Sequence, residues 1–225
     1  IVSSDPAAHR SFLGESIGTA DADLIVFPEA CSSGFDFVNL SRIADENRRL
    51  LPDLATICRT SQKACLLPLL WQEADAYWNR SFFIADSGEV LAWYDKIHLI
   101  AALNEDRHLT AGQKIVTIEW ANWQIGLATC FDLRFPPMFH RQPRADLFLL
   151  PALWPAVRQE HMLVLSQGRC IESQTPFILA NATGQSGSIV AAGHSRIFDA
   201  RGQTLAGLSD EEAMILATID PEDTE

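Results

Sequence analysis

The apolar positions of the chain recur at two spacings, one typical of strands and one typical of helices. Short apolar or alternating runs bounded by Gly, Pro, Asn, Asp or Ser predict strands, and apolar positions three or four residues apart predict helices. The predicted strands span residues 24–27, 65–70, 81–85, 89–94, 115–120, 125–128, 147–150, 177–180, 194–198 and 214–219. The pattern therefore predicts an α/β protein with helices outside two sheets.

Three stretches have the helical spacing. Asp5 followed by Pro6 predicts the N-cap and first position of a helix, and residues 41–61 and 155–174 predict two more. The apolar face predicted for the first helix contains Phe12, Leu13 and Ile17. The inward face predicted for the last helix contains Val157, Val164, Leu165, Gly168 and Ile171.

Tight turns at residues 86–88 and 121–123 join neighbouring strands into hairpins. Strands joined in this way are antiparallel, so the sheets are predicted to be mixed. A doubly wound dinucleotide-binding fold is disfavoured, because the chain also lacks a GxGxxG sequence.

Three residues able to do chemistry each follow a predicted strand: Glu29, Lys96 and Cys130. Strand ends collect at one edge of a parallel or mixed sheet, which is the usual place for chemistry in layered α/β folds. A free thiol has a pKa of roughly 8.5 and needs a base or a cation to become an effective nucleophile. A carboxylate can accept the thiol proton, and an ammonium group can stabilise the oxyanion that forms when a carbonyl is attacked.

Composition narrows the class of protein. The 225 residues are 48% hydrophobic, which is enough to bury the core of one domain. The formal net charge of -12 argues against nucleic acid and anionic membranes as partners, because phosphate groups require clustered Lys and Arg. No apolar run approaches the roughly 20 residues that span a bilayer, and we expect a soluble protein without a targeting segment.

The cysteines and histidines show neither a disulfide framework nor a metal pattern. The five cysteines, an odd number without CxxC spacing, are Cys31, Cys58, Cys65, Cys130 and Cys170. The six histidines are scattered and form no HExxH sequence. The sequence therefore predicts no metal, no cofactor and a reducing, cytoplasmic environment.

Three motifs in order carry a family resemblance. FPEA around Glu29, YDKIHL around Lys96 and CFDLRFP around Cys130 resemble the signature of the nitrilase superfamily, also called carbon-nitrogen hydrolases. Further similarity, closest to the Nit and omega-amidase branch, lies in SSGF at 32–35, NEDRHLTAG at 104–112 and AGHSRIFDARG at 192–202.

This resemblance implies a fold and the range of residues that forms it. The expected fold is a four-layer α-β-β-α sandwich of two mixed sheets, formed as one domain by residues 1–225. The family also has a strand before Ile1 and a longer tail beyond Glu225, so both ends of this chain look trimmed.

The resemblance also assigns catalytic roles. It implies that Glu29 is the general base, that Lys96 stabilises the tetrahedral intermediate and that Cys130 is the nucleophile. Glu105, in NEDRHLTAG, matches a second glutamate of the family that positions the lysine or assists proton transfer. The neighbouring Asp106 is the alternative, but the spacing to the following glycine favours Glu105.

Several residues are candidates for contact with the substrate. The backbone amide of Phe131 is expected to face the oxyanion, and Trp154 resembles a substrate-wall position of the family. Phe35 lies in the loop after Glu29, where it either walls a pocket or anchors the loop on the core. Asp132 and Arg134 are expected to pair or to pin the turn that follows Cys130.

The implied activity is hydrolysis of a small amide with release of ammonia, as in omega-amidases. A nitrilase or an N-carbamoyl amidase with the same triad, and a catalytically silent scaffold subunit, are the alternatives. The family pairs its subunits through helices, so we expect a homodimer or larger assembly that uses residues 135–141 and 155–174.

Overall fold

Residues 6–220 are described by the computed structural model, with side chains from residue 8 onward. The chain divides into two compact units, one ending at Lys114 and the other beginning at Ile115. Asp5, the predicted N-cap, lies outside the described residues. The single domain expected over residues 1–225 stays a prediction.

The N-terminal unit is a mixed four-stranded sheet with two long helices. Its helices are α1 (Pro6–Thr19), α2 (Leu40–Ser61) and the short α3 (Glu105–His108). Its strands are β1 (Leu24–Val26), β2 (Ala64–Glu73), β3 (Ala76–Ile84) and β4 (Val90–Asp95). They are ordered β1-β2-β3-β4, with β1 parallel to β2 and the other neighbours antiparallel.

The core of this unit lies between the helices and one face of the sheet. Leu13 and Ile17 of α1 and Leu54 of α2 are buried with the alternating residues Leu67 and Leu69 of β2. Leu13 and Ile17 are four residues apart and therefore lie on the same face of α1, and Leu54 lies on the buried face of α2. Each helix thus packs one apolar stripe inward. Phe12, predicted on that stripe, is 52% exposed. The prediction was wrong because adjacent helical residues point about 100° apart and Leu13 takes the inward position.

The C-terminal unit is built on a six-stranded mixed sheet. Its helices are α4 (Pro136–His140) and α5 (Gln159–Ser173). Its strands are β5 (Thr117–Trp120), β6 (Trp123–Leu127), β7 (Leu147–Ala152), β8 (Phe177–Asn181), β9 (Gln185–Ser186), β10 (Ile189–Val190), β11 (Arg196–Phe198) and β12 (Thr204–Gly207). The sheet order is β12-β11-β8-β7-β6-β5, with β6, β7 and β8 parallel and the outer pairs antiparallel, while β9 and β10 form a small hairpin.

The strand predicted at residues 214–219 is absent from the described structure. Met214 and Leu216 are about half exposed, and β12 pairs with β11 instead. Alternation of apolar residues gives only the potential for a strand, because a strand also needs a neighbour to satisfy its backbone groups. No described strand pairs with this segment.

The inward face predicted for the last helix was wrong at three of its five residues, while Leu165 and Gly168 are half-buried. Val157, Val164 and Ile171 are 83%, 61% and 56% exposed, and Val157 lies in a 3-10 turn before α5. The face of α5 that packs inward consists of Met162, Ser166, Arg169 and Cys170. Two of these residues are polar, and their hydrogen bonds compensate for burial.

Candidate active site

Glu29 follows β1 and is buried at the end of the parallel β1-β2 pair. The backbone N–H of Phe27 donates to the carbonyl of Leu66, and that of Cys31 donates to the carbonyl of Pro68, so the chain continues along β2 on both sides of Glu29. This pairing fixes the backbone position of the carboxylate.

Lys96 follows β4 and is held from two sides. Its backbone N–H donates to the carbonyl of Asn79 at 2.9 Å, and its carbonyl accepts from Gly112 at 2.8 Å. Any side chain at residue 112 would collide with the backbone of Asp95, so this close approach requires glycine. The ammonium group is therefore presented from a well-fixed backbone.

The Lys96 side chain joins two buried carboxylates. Its Nζ atom lies 2.9 Å from Glu29 Oε1 and 2.9 Å from Glu105 Oε2, and none of the three residues is more than 1% exposed. Glu105 begins α3, and its Oε2 atom also accepts from the backbone N–H of Ile100 at 3.0 Å. The structure thus brings together three of the four predicted catalytic residues.

Glu105 differs in its pKa from an ordinary glutamate. Burial raises the pKa of this carboxyl group, the positive charge of Lys96 partly lowers it, and the nearby Glu29 raises it again. A buried carboxyl with a raised pKa and a charged partner is typical of functional sites.

Asn79 is a member of this cluster that the sequence analysis missed. Its Nδ2 atom donates to Glu29 Oε1 at 2.7 Å, and the residue is 1% exposed. The available signal was weak: a polar residue within the buried part of β3, just before the strand predicted at residues 81–85.

Cys130 lies in the C-terminal unit, just beyond β6. It begins a 3-10 turn (Cys130–Arg134) and has a φ of 48°, a left-handed conformation that is uncommon outside glycine. Such strained backbone clusters at functional sites, where surrounding contacts hold it in place.

The turn at Cys130 is closed by a capping box. The backbone N–H of Thr129 donates to Asp132 Oδ2 at 2.9 Å, and the Thr129 side chain accepts from the backbone of Asp132. From α5, Arg169 Nη2 donates to the carbonyl of Leu133 at 3.2 Å. Asp132 therefore pins the turn, as expected.

The predicted substrate-binding residues fall in both units. The ring of Phe35 is 5.8 Å from Lys96 Nζ. In the C-terminal unit, Trp154 is buried, its Nε1 atom donates to the carbonyl of Arg158, and the guanidinium of Arg134 lies 4.9 Å from its ring. Phe131 follows Cys130 in the same turn.

The other cysteines have a different setting. All five are free thiols. Burial raises the pKa of Cys31 and of Cys170, so neither favours the thiolate. Cys58 and Cys65 lie in the core with their sulfur atoms 3.5 Å apart.

The described residues contain neither a metal-binding cluster nor a membrane-spanning helix. No group of His, Cys, Asp and Glu in that part of the chain is arranged to hold a metal ion. Among the helices described, none is long and apolar enough to cross a membrane.

The fold resembles a solved structure of known class. A CN-hydrolase superfamily protein from Xanthomonas campestris matches with a TM-score of 0.84 and 26% identity, over 94% of this chain and 83% of that chain. The chain therefore has the α/β fold with mixed sheets of the nitrilase superfamily, which confirms the predicted fold class.

Sequence comparison gives the family. The carbon-nitrogen hydrolase model matches residues 10–225. The chain is 31% identical over 207 residues to 2-oxoglutaramate amidase of Bacillus subtilis (strain 168), covering 88% of this chain and 78% of the relative. It is 30% identical over 211 residues to omega-amidase YafV of Escherichia coli (strain K12), covering 92% and 81%. The chain belongs to the carbon-nitrogen hydrolase family and is an enzyme of the amidase class.

Proposed function

We propose that the chain is an omega-amidase-like enzyme that releases ammonia from a small amide with a distal carboxylate, such as 2-oxoglutaramate. The observation that carries the chemistry is the buried cluster in which Lys96 lies between Glu29 and Glu105. The substrate class is supported by the relatives named 2-oxoglutaramate amidase and omega-amidase.

The first half of the reaction is acylation of Cys130. Its sulfur attacks the amide carbon while Glu29 accepts the thiol proton. Lys96 and the backbone N–H of Phe131 stabilise the tetrahedral oxyanion. The carbon-nitrogen bond then breaks, Glu29 returns the proton to the departing nitrogen, and ammonia leaves a thioester on Cys130.

The second half is hydrolysis of the thioester. Glu29 removes a proton from water as the water oxygen attacks the thioester carbon, and the same donors stabilise the second oxyanion. The carbon-sulfur bond breaks, the thiol regains its proton, and the carboxylic acid is released. Glu105 positions Lys96 throughout, which its short contacts with the ammonium group support.

Phe35 and Trp154 are each proposed to contact the substrate. The position of the Phe35 ring beside Lys96 supports the first assignment. The assignment of Trp154 is supported by the Arg134 guanidinium over its ring, in the unit that contains Cys130. A cation at this position can pair with the distal carboxylate of the substrate.

Assembly and location complete the proposal. The exposed stripe formed by Val157, Val164 and Ile171 is the proposed homodimer surface, because apolar side chains this exposed favour burial against a second copy. In residues 135–141, by contrast, Met138 and Phe139 are buried. Free thiols throughout are consistent with a cytoplasmic enzyme.

The test is a panel assay of ammonia release with a nucleophile variant. The wild-type chain is expected to act on 2-oxoglutaramate and related ω-amides in preference to nitriles and N-carbamoyl amino acids. Cys130→Ser should abolish turnover and remain folded, and the control Cys58→Ser should keep turnover. Preferred cleavage of nitriles or carbamoyl compounds would favour the corresponding alternative. Absence of turnover on the whole panel, or an active Cys130→Ser variant, would contradict the proposal.

A further inference from the structure

Asn79 bonds both to the backbone of Lys96 and to the side chain of Glu29. It lies in β3, its carbonyl accepts from the backbone N–H of Lys96, and its side-chain Nδ2 atom donates to Glu29 Oε1. Asn79 therefore fixes both the backbone position of Lys96 and the orientation of the Glu29 carboxylate.

The chemistry of the shared oxygen explains the need for an amide. Glu29 Oε1 accepts from Lys96 Nζ at 2.9 Å and from Asn79 Nδ2 at 2.7 Å. Two donors on one oxygen fix the rotation of the carboxylate. An amide carries no charge, so Asn79 orients Glu29 without changing the charge balance among Glu29, Lys96 and Glu105.

Asn79 also has a feature that packing does not explain. Its Oδ1 atom is buried and has no hydrogen-bond partner among the described residues. An unpaired buried carbonyl is unfavourable, and an apolar side chain of similar size would avoid that penalty. The presence of an amide at this position is therefore best explained by its donation to Glu29.

We propose that Asn79 is a positioning residue that holds the Glu29 carboxylate in the orientation required for proton transfer. This inference rests on the proposed function, in which Glu29 is the general base. It adds a residue to the machinery that acts through Glu29.

Asn47 provides a matched control within the same unit. It is a buried asparagine of α2 that donates to the carbonyl of Leu70 at 2.7 Å and accepts from Ser32 Oγ at 2.7 Å. Leu70 is the register partner of Asn79 across β2 and β3. Asn47 is thus a nearby buried amide that does not bond to Glu29 or Lys96.

The first experiment compares Asn79→Leu with Asn47→Leu by kcat, KM and melting temperature. Both variants should have a lower melting temperature than wild type, since each loses buried hydrogen bonds. Asn79→Leu should lower kcat about 10- to 100-fold while KM changes less than about threefold, the range expected for one hydrogen bond to a charged group. Asn79→Asp should be at least as slow, because it adds a third carboxylate to the cluster and places it against Glu29. A kcat of Asn79→Leu within threefold of wild type, or an equal loss in Asn47→Leu, would overturn the inference.

The second experiment needs no turnover. The denaturant midpoint is measured for Asn79→Ser, Glu29→Gln and the double variant, because the serine change is mild enough to keep the fold. The two effects should be strongly non-additive, since Asn79 acts through the Glu29 carboxylate. Additive effects would overturn the positioning role. A separate activity assay in which Glu29→Gln is active would instead overturn the proposed function and leave the measured coupling standing.

Discussion

Replacing Lys96 by glutamine removes the ammonium group that lies between two buried carboxylates. Glu29 and Glu105 then face each other with their positive partner gone, and none of the three side chains is more than 1% exposed. Removing one partner of a buried ion pair typically costs about 3–5 kcal/mol, because the remaining charge is left uncompensated. For a chain of this size, that corresponds to a fall in melting temperature of roughly 6–20 °C.

The loss of stability should depend on pH in a defined direction. Burial already raises the pKa of Glu105, and Lys96 partly lowers it, so loss of the ammonium group raises this pKa further. A carboxyl whose folded-state pKa is raised favours the folded state at low pH and loses that contribution as pH rises through its folded pKa. The deficit of Lys96→Gln should therefore be largest at neutral and alkaline pH and shrink toward pH 4.5, the ordinary value for glutamate.

Activity should respond more sharply than stability. If Lys96 stabilises the oxyanion, Lys96→Gln should lower kcat by about 10²- to 10³-fold with a small effect on KM. Lys96→Arg should be almost as slow, since the planar guanidinium cannot place its charge at the position of the ammonium.

The measurements are urea unfolding at several pH values together with kcat and KM. Lys63→Gln is the control, because the Lys63 ammonium bonds to the carbonyl of Ala20 and touches neither glutamate. A Lys96→Gln protein as stable as wild type at pH 8 would refute the electrostatic argument. A fully active Lys96→Arg enzyme would remove Lys96 from the mechanism.

Two further predictions concern Glu105 and the proposed dimer surface. Glu105→Gln removes a carboxyl with a raised pKa, so the stability of wild type relative to this variant should fall as pH rises above 4.5. A pH-independent difference in urea unfolding would contradict this. Val164→Asp should convert a dimer into monomers by light scattering at micromolar concentration, whereas the control Val38→Asp, at an equally apolar and even more exposed position, should not. A monomeric wild-type protein would contradict the assembly.

The cluster around Lys96 was predictable to the extent that its members follow strands. Glu29 and Lys96 come directly after short apolar runs, and such local patterns place a residue at a sheet edge. Asn79 was missed because its role depends on register rather than on neighbouring sequence. Only the pairing of β3 with β4 places its carbonyl opposite the Lys96 amide.

The error in the buried face of the last helix has a physical origin that periodicity does not capture. Counting apolar residues predicted the face of the last helix that contains Val164, whereas the packed face contains Arg169 and Ser166. Arg169 is accommodated because its guanidinium bonds to Glu172 and to the carbonyl of Leu133. Polar partners that come from elsewhere in the chain are invisible to a periodicity argument.

The buried charges of the N-terminal unit are stronger evidence for function than for stability. A buried ion pair is often no more stable than well-packed apolar residues of similar volume, because desolvation offsets the attraction between the charges. Two carboxylates around a single ammonium group are less favourable still, since the second acid has no cation of its own, and burial together with the nearby Glu29 raises the pKa of Glu105. Selection for stability alone would remove such an arrangement. A base that must take and return a proton beside a fixed positive charge requires it.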